Sequence, residues 1–185
     1  MKFVEPIRDK EQLEEISEYF KEHNYRDYIM WQIGISIGIR VSDILILRVK
    51  DVRGESHFNI VEQKTKKNKR VIIPPKLKKI LDEYIKGKKD NEFLIQSRQR
   101  TQTGKQKAVS RTTAYRNINN AAKAIGYKAK IGTHTMRKTF GYHYYKKFGS
   151  VGDLMVLFNH SEEGTTLRYI GIVHDQLDKN MANLY

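Results

Sequence analysis

No cysteine occurs anywhere in the 185 residues. That excludes disulfides, thiolate metal sites and a cysteine nucleophile, and it suits a reducing compartment. Long apolar runs are missing too. The longest apolar stretch, around residues 28–39, is interrupted by Gln32, Gly34, Ser36 and Gly38, too often to span a bilayer. The opening residues Met1-Lys2-Phe3-Val4-Glu5-Pro6 lack the apolar segment of a signal peptide. Together these absences predict a soluble, cytoplasmic protein with no membrane partner. No cluster of His, Asp and Glu has convincing metal-ligand spacing, so neither a metal nor another cofactor is expected. Acidic residues are outnumbered: 21 Asp and Glu stand against 35 Lys and Arg, a formal net charge of +14. That excess is what a protein needs to displace counterions from a phosphate backbone. A generic basic protein kept soluble by its charge would share it.

What is present reads as one domain, without repeats or a clear linker, long enough for a real core. Asp9 with Gln12 looks like a capping box opening a helix on which Leu13, Ile16, Tyr19 and Phe20 recur at helical spacing. A second helix, about residues 25–37, is apolar on nearly all sides and reads as buried core. Gly38 ends it, Arg40 sits at the turn, and Ser42 or Asp43 can cap a short helix through Leu47. Residues 57–63 and 70–73 read as two strands of a β-hairpin with a basic turn, stopped by Pro74-Pro75. Residues 96–107 show no periodicity and read as a mobile, exposed loop. Ser110 can cap a helix to Ile125, and helices follow at about 135–148, 151–158, 163–170 and 174–183. The fold class predicted is α+β, mostly helical, with one small antiparallel sheet.

Four pieces can carry chemistry. Arg40 lies between a buried helix and another helical turn, where its guanidinium needs an anion or a carboxylate; a structural pair with Asp43 is the plain alternative. Lys64, Lys66, Lys67, Lys69 and Arg70 crowd the hairpin turn. A lysine there can reach a phosphate or donate a proton, but solvated basic turns are common. His134 and Arg137, spaced i, i+3, share a helical face, and Thr133 can cap that helix. Such a pair at a helix N-terminus suits a phosphate oxyanion, or is a surface pair. Finally, His160 is followed nine residues on by Tyr169. A tyrosine can be a nucleophile where cations ease its deprotonation, yet the chain has 11 tyrosines, most of them ordinary packing residues.

Their order and combination resemble the catalytic signature of the tyrosine recombinases: phage integrases, Xer-type resolvases and transposon integrases. Gly38-Ile39-Arg40-Val41-Ser42-Asp43 looks like the first-arginine box. Thr133-His134-Thr135-Met136-Arg137-Lys138-Thr139-Phe140 looks like the second. Phe158-Asn159-His160-Ser161 through Thr165-Thr166-Leu167-Arg168-Tyr169 looks like the His and nucleophile box, with Asn159 where the family often has glycine. The resemblance implies that residues 1–185 are one tyrosine recombinase catalytic domain, with no N-terminal core-binding domain among them. It implies an enzyme that acts on double-stranded DNA in recombination or integration, as part of a mobile element. Arg40 and Arg137 would clamp the non-bridging oxygens of the scissile phosphate. Tyr169 would attack to give a 3′-phosphotyrosine and a 5′-hydroxyl. His134 would bind the phosphate and help manage the tyrosine proton, and His160 would donate another hydrogen bond. Lys64, or Lys66 in its place, would protonate the leaving 5′-oxygen. No metal is required. Family members act as tetramers on DNA, and a C-terminal helix carrying Leu177, Met181 and Leu184 would dock on a neighbour or fold back on its own domain. A non-catalytic DNA-binding protein on the same scaffold would lack the tyrosine or an arginine. A type IB topoisomerase shares the chemistry but acts as a monomer with little sequence preference.

Overall fold

The computed structural model describes residues 4–184; Met1, Lys2 and Phe3, part of the opening segment read above, and Tyr185 lie outside it. Helix α1 (Lys10–His23) is capped by Asp9, whose carboxylate accepts from the amide of Glu11 rather than Gln12. It buries Ile16 and Phe20 against α2 (Tyr25–Ile37), and Trp31 Nε1 donates to Ser17 Oγ at 2.9 Å. Helix α2 is central: Ile29, Met30, Trp31 and Ile33 are fully buried. Burying such side chains is worth about 1.5–3 kcal/mol each, against a helix-propensity cost of only about 0.5 kcal/mol for each β-branched residue. Tertiary packing, not local preference, therefore makes this segment helical.

Gly38 ends α2 with φ 63°, a left-handed turn that a side chain would oppose. The short α3 (Val41–Leu45) follows, with Arg40 itself at the N-cap position. Ser42 and Asp43 do not cap it: they lie in its first turn, and Asp43 Oδ1 accepts instead from the amide of Gln63, 2.9 Å away. Strands β1 (His57–Val61) and β2 (Asn68–Ile72) form the expected antiparallel hairpin, with Ile60 opposite Lys69 and Phe58 opposite Val71. Helix α4 (Pro75–Tyr84) starts at Pro75 and buries Leu77 and Leu81.

The segment read as a loop is a second hairpin, β3 (Gln96–Arg100) with β4 (Gln106–Ala108). Its register shifts between Gln96 and Arg100. The described residues therefore form two small antiparallel sheets. Helix α5 (Arg111–Ala124) has the predicted Ser110 cap, and its Asn117 donates to the buried carboxylate of Asp27 on α2. Helices α6 (Thr135–Phe148), α7 (Val151–Phe158), α8 (Glu163–Tyr169) and α9 (Ile172–Ala182) complete the chain. The first core gathers around α2. A second, smaller one joins Leu154, Phe158 and Ile170 with Phe140 and Tyr169 at the C-terminal end. Helix α9 buries no residue, and Leu177, Met181 and Leu184 are exposed, so its stripe does not fold back onto this domain. Arg8 ties it down at one point, through Asp175 Oδ1 at 2.7 Å.

Candidate active site

The site begins with two glycines. Helix α6 crosses α2 so closely that a Cβ at Gly34 would lie 2.5 Å from Met136 Sδ, and one at Gly38 would collide with the Phe140 ring. That approach brings the first-arginine box against the second. Arg137 is 2% exposed, and its Nη1 donates to the Gly38 carbonyl at 2.7 Å. Its Nη2 donates to the Phe158 carbonyl at 3.1 Å, at the end of α7, and the guanidinium lies over the Phe158 ring. One side chain thus binds the backbone of the other two boxes. Burial pulls its pKa down to about 10, so it remains a cation at neutral pH.

Arg40 meets Glu62, not Asp43. Its Nη1 lies 2.6 Å from Glu62 Oε1, and Glu62 is itself 3% exposed at the end of β1. Burial alone would push the pKa of that carboxyl up, but hydrogen bonds from Arg40 and Thr65 and the charges of Arg40 and Lys69 win, so Glu62 stays below the ordinary carboxylate range. Asp43 holds the same end of the hairpin through the amide of the next residue, Gln63.

His134 sits at the N-cap position of α6 without a capping bond from its side chain, and Thr133 lies in the turn before it rather than at the cap. His134 Nδ1 is 3.2 Å from the Tyr169 hydroxyl. Burial lowers the His134 pKa, and the charges of Arg137, Arg111, Lys138 and Arg40 lower it further. The neutral imidazole can therefore accept the phenol's proton at Nδ1 while its Nε2–H faces elsewhere as a donor. For Tyr169, burial raises the phenol pKa while Arg137 and Arg40 pull it back. The phenol ring packs edge-on against Phe158 and His160.

His160 follows Asn159, which ends α7 in the left-handed conformation, φ 54°. Its Nδ1 is 3.1 Å from Thr166 Oγ1, and that hydroxyl donates to the Glu162 carbonyl, also at 3.1 Å. A hydroxyl has one proton. Since it is committed to Glu162, His160 must donate from Nδ1, and its Nε2 is bare when the ring is neutral. Burial, then Arg137 and Arg40, hold the His160 pKa below its ordinary value.

Arg40, His134, Arg137, His160 and Tyr169 are thus gathered in one place. Lys64 is not: it lies exposed in the turn after β1, as does Lys66 with φ 58°. The hairpin lysine that turns inward is Lys69, half-buried on β2, with Nζ 4.0 Å from Glu62 Oε1 and donating to the Leu157 carbonyl. Its signal was in the sequence: two residues before buried Val71, it lies on the same strand face. Among the described residues no group of three or more His, Asp or Glu is placed to hold a metal ion. No helix among them is long and apolar enough to cross a membrane.

Residues 8–174 match the model of the phage integrase family. A probable integrase/recombinase of Bacillus subtilis, YoeC, is 44% identical over 175 residues, 95% of this chain and 93% of that protein. The XerH site-specific recombinase, solved in a post-cleavage complex with its palindromic difH substrate, superposes with a TM-score of 0.72 at 20% identity, over 99% of this chain and 54% of that one. A lambda integrase tetramer bound to a Holliday junction gives 0.70 at 15% identity, over 91% and 49%. This chain therefore spans about half the length of these two solved proteins and nearly all of YoeC. By sequence and by fold, the chain belongs to the phage integrase family and has the architecture of a tyrosine recombinase catalytic domain.

Proposed function

We propose that this protein is a site-specific DNA recombinase that cuts and rejoins strands through a 3′-phosphotyrosine at Tyr169. The observation that carries the reading is the Tyr169 hydroxyl 3.2 Å from His134 Nδ1, beside the buried guanidinium of Arg137. The tyrosine, a base and the cations that would meet a phosphate all come from one chain. A scissile phosphodiester entering here would take hydrogen bonds from Arg40 and Arg137, whose charge offsets that building on the pentacoordinate phosphorus. The phenol oxygen forms a bond to phosphorus, and the bond to the 5′-oxygen breaks. The phenol's proton goes to His134, and Lys64, at the hairpin tip that would face the duplex, supplies a proton to the leaving 5′-oxygen. His160 donates to the phosphate once its Nε2 is protonated. Religation is the reverse displacement by a 5′-hydroxyl, and the phosphotyrosine conserves the bond energy.

The partner is double-stranded DNA. The XerH and lambda integrase complexes support that assignment, and the lambda tetramer supports assembly of four protomers. Exposed Leu177 and Met181 on α9, with Leu184 just beyond its end, would supply the contact between them. The test is covalent trapping. The protein is incubated with nicked duplexes tiled from the DNA flanking its gene, and the adduct is located by mass spectrometry. A phosphotyrosine at Tyr169, lost in Tyr169→Phe with DNA binding retained, is the expected result. An adduct on another tyrosine, or tight binding with no adduct, refutes it.

A further inference from the structure

Strand alternation in the first hairpin places Lys69 opposite Ile60 and on the same face as Val71, both of which are buried. A lysine at such a position is costly, because its ammonium must be stripped of water. An apolar residue there would pack without that cost. We propose that Lys69 is a positioning residue of the catalytic centre: it ties the hairpin to the end of α7 and, through Glu62, holds Arg40 in place for the phosphate. The proposal rests on the phosphate-clamping role given to Arg40 above.

Glu62 Oε1 is shared between two cations, 2.6 Å from Arg40 Nη1 and 4.0 Å from Lys69 Nζ. The ammonium also donates to the Leu157 carbonyl, three residues before His160. Nearby, Lys67 Nζ donates to Asn159 Oδ1 at 3.0 Å, a second tie between the same hairpin and the same helix end. Lys69 therefore connects the element that orients Arg40 to the one that presents His160. It also sets the charge of the cluster. On the hairpin side of the cluster, Arg40, Arg137 and Lys69 face Glu62 and Asp43, three cations against two carboxylates, a local excess of one positive charge. Without Lys69 that balance is zero. Because its ammonium turns to the core face of the hairpin, towards Glu62 and the Leu157 carbonyl, the group works through Arg40 rather than on the substrate, unlike exposed Lys64. Burial lowers its pKa to about 8; Arg137 and Arg40 push the same way, and Glu62 and Asp43 oppose them.

Lys69→Met and Lys69→Arg in the full chain test this, with melting curves to confirm folding. With lysine 13C-labelled at Cε, one signal, absent from Lys69→Arg, should titrate near pH 8. Glu62→Gln should move that titration lower still. The Arg40 Nε–H resonance should shift in Lys69→Met and return in Lys69→Arg. On a nicked duplex at saturating concentration, Lys69→Met should slow adduct formation roughly 10- to 100-fold at unchanged DNA affinity, the scale typical of supporting residues, and Lys69→Arg should recover most of it. An Arg40 signal unmoved in Lys69→Met, a Lys69 titration in the ordinary lysine range, or wild-type cleavage by Lys69→Met overturns the proposal. If the wild type forms no adduct on any duplex, the phosphotyrosine reading fails instead, and the two spectra still decide the role of Lys69. Should Lys69→Met not fold, the Lys69 titration in the wild type and in Glu62→Gln decides it.

Discussion

Replacing Thr166 by valine removes one hydroxyl from a fully buried side chain of nearly the same shape. In the native protein that hydroxyl fixes the His160 ring, because it accepts from Nδ1 while donating to the Glu162 carbonyl. Neutral His160 then has no proton on Nε2 to offer a phosphate. Donation from Nε2 requires the imidazolium, and burial with Arg137 and Arg40 holds the His160 pKa below its ordinary value of about 6.5. At pH 7.5 the neutral imidazole of the free protein therefore predominates over the imidazolium. Thr166→Val loses one buried hydrogen bond, about 1 kcal/mol of stability, and frees the ring to carry its neutral proton on Nε2. The sign follows: protonated His160 is lost as pH rises, so the wild-type enzyme loses this donor on the alkaline side and the variant does not. In 15N spectra of the histidine ring, the native protein should show the Nδ1–H tautomer and Thr166→Val a shift towards Nε2–H. In single-turnover cleavage, the variant should be slower than wild type near pH 6, and the ratio of the two rates should rise steadily to about pH 8.5. Taking the ratio removes contributions common to both, such as His134 and Lys69. A ratio independent of pH, or an Nε2–H tautomer already present in the native protein, refutes the reasoning.

Two further perturbations probe other levels. Gly38→Ala forces a side chain into a left-handed turn and against the Phe140 ring. It should cost roughly 2–4 kcal/mol and lower the melting temperature by about 4–15 °C, with cleavage falling further because Arg40 lies two residues on; an unchanged melting temperature argues against the close α2–α6 contact. Neutralising exposed Arg98, Arg100 and Lys105 on the second hairpin should lower the slope of log affinity against log salt by up to about 2–3, without changing cleavage at saturating DNA. An unaltered slope removes this hairpin from the DNA contact.

The parts of the site legible in the sequence are those that sit close together along it. His134 and Arg137 share a helical turn, and His160 and Tyr169 are bridged by one short helix, so spacing alone predicts their company. The partner of Arg40 was not legible. Asp43 is the local candidate, but Glu62 arrives from the hairpin, and which distant carboxylate reaches a cation is decided by the fold as a whole. The second hairpin escaped for a different reason. Arg98, Gln99 and Arg100 are all exposed and the register is irregular, so no face is buried to impose alternation. Among the hairpin lysines, motif position selects Lys64, whereas strand periodicity selects Lys69. These are different questions, since one concerns the tip that would meet a duplex and the other the face that meets the core.

The two arginines are held in contrasting ways, and the contrast bears on how a phosphate would be captured. Arg137 is fixed by the carbonyls of Gly38 and Phe158, which are dipoles and leave its charge in place. These carbonyls take two of its five N–H donors, so the group is held rigidly with donors left towards Tyr169 and an anion. Arg40 instead faces the carboxylate of Glu62, which cancels much of its charge. A phosphodiester can therefore be drawn first to Arg137, beside Tyr169, and must then share Arg40 with Glu62. Binding energy from the rest of the duplex can drive that second step, so that the full clamp closes only on DNA seated along the protein. In the free protein the tyrosine then lies beside His134, the base proposed for it, while the charge that would favour attack on a stray phosphate is kept partly cancelled by Glu62.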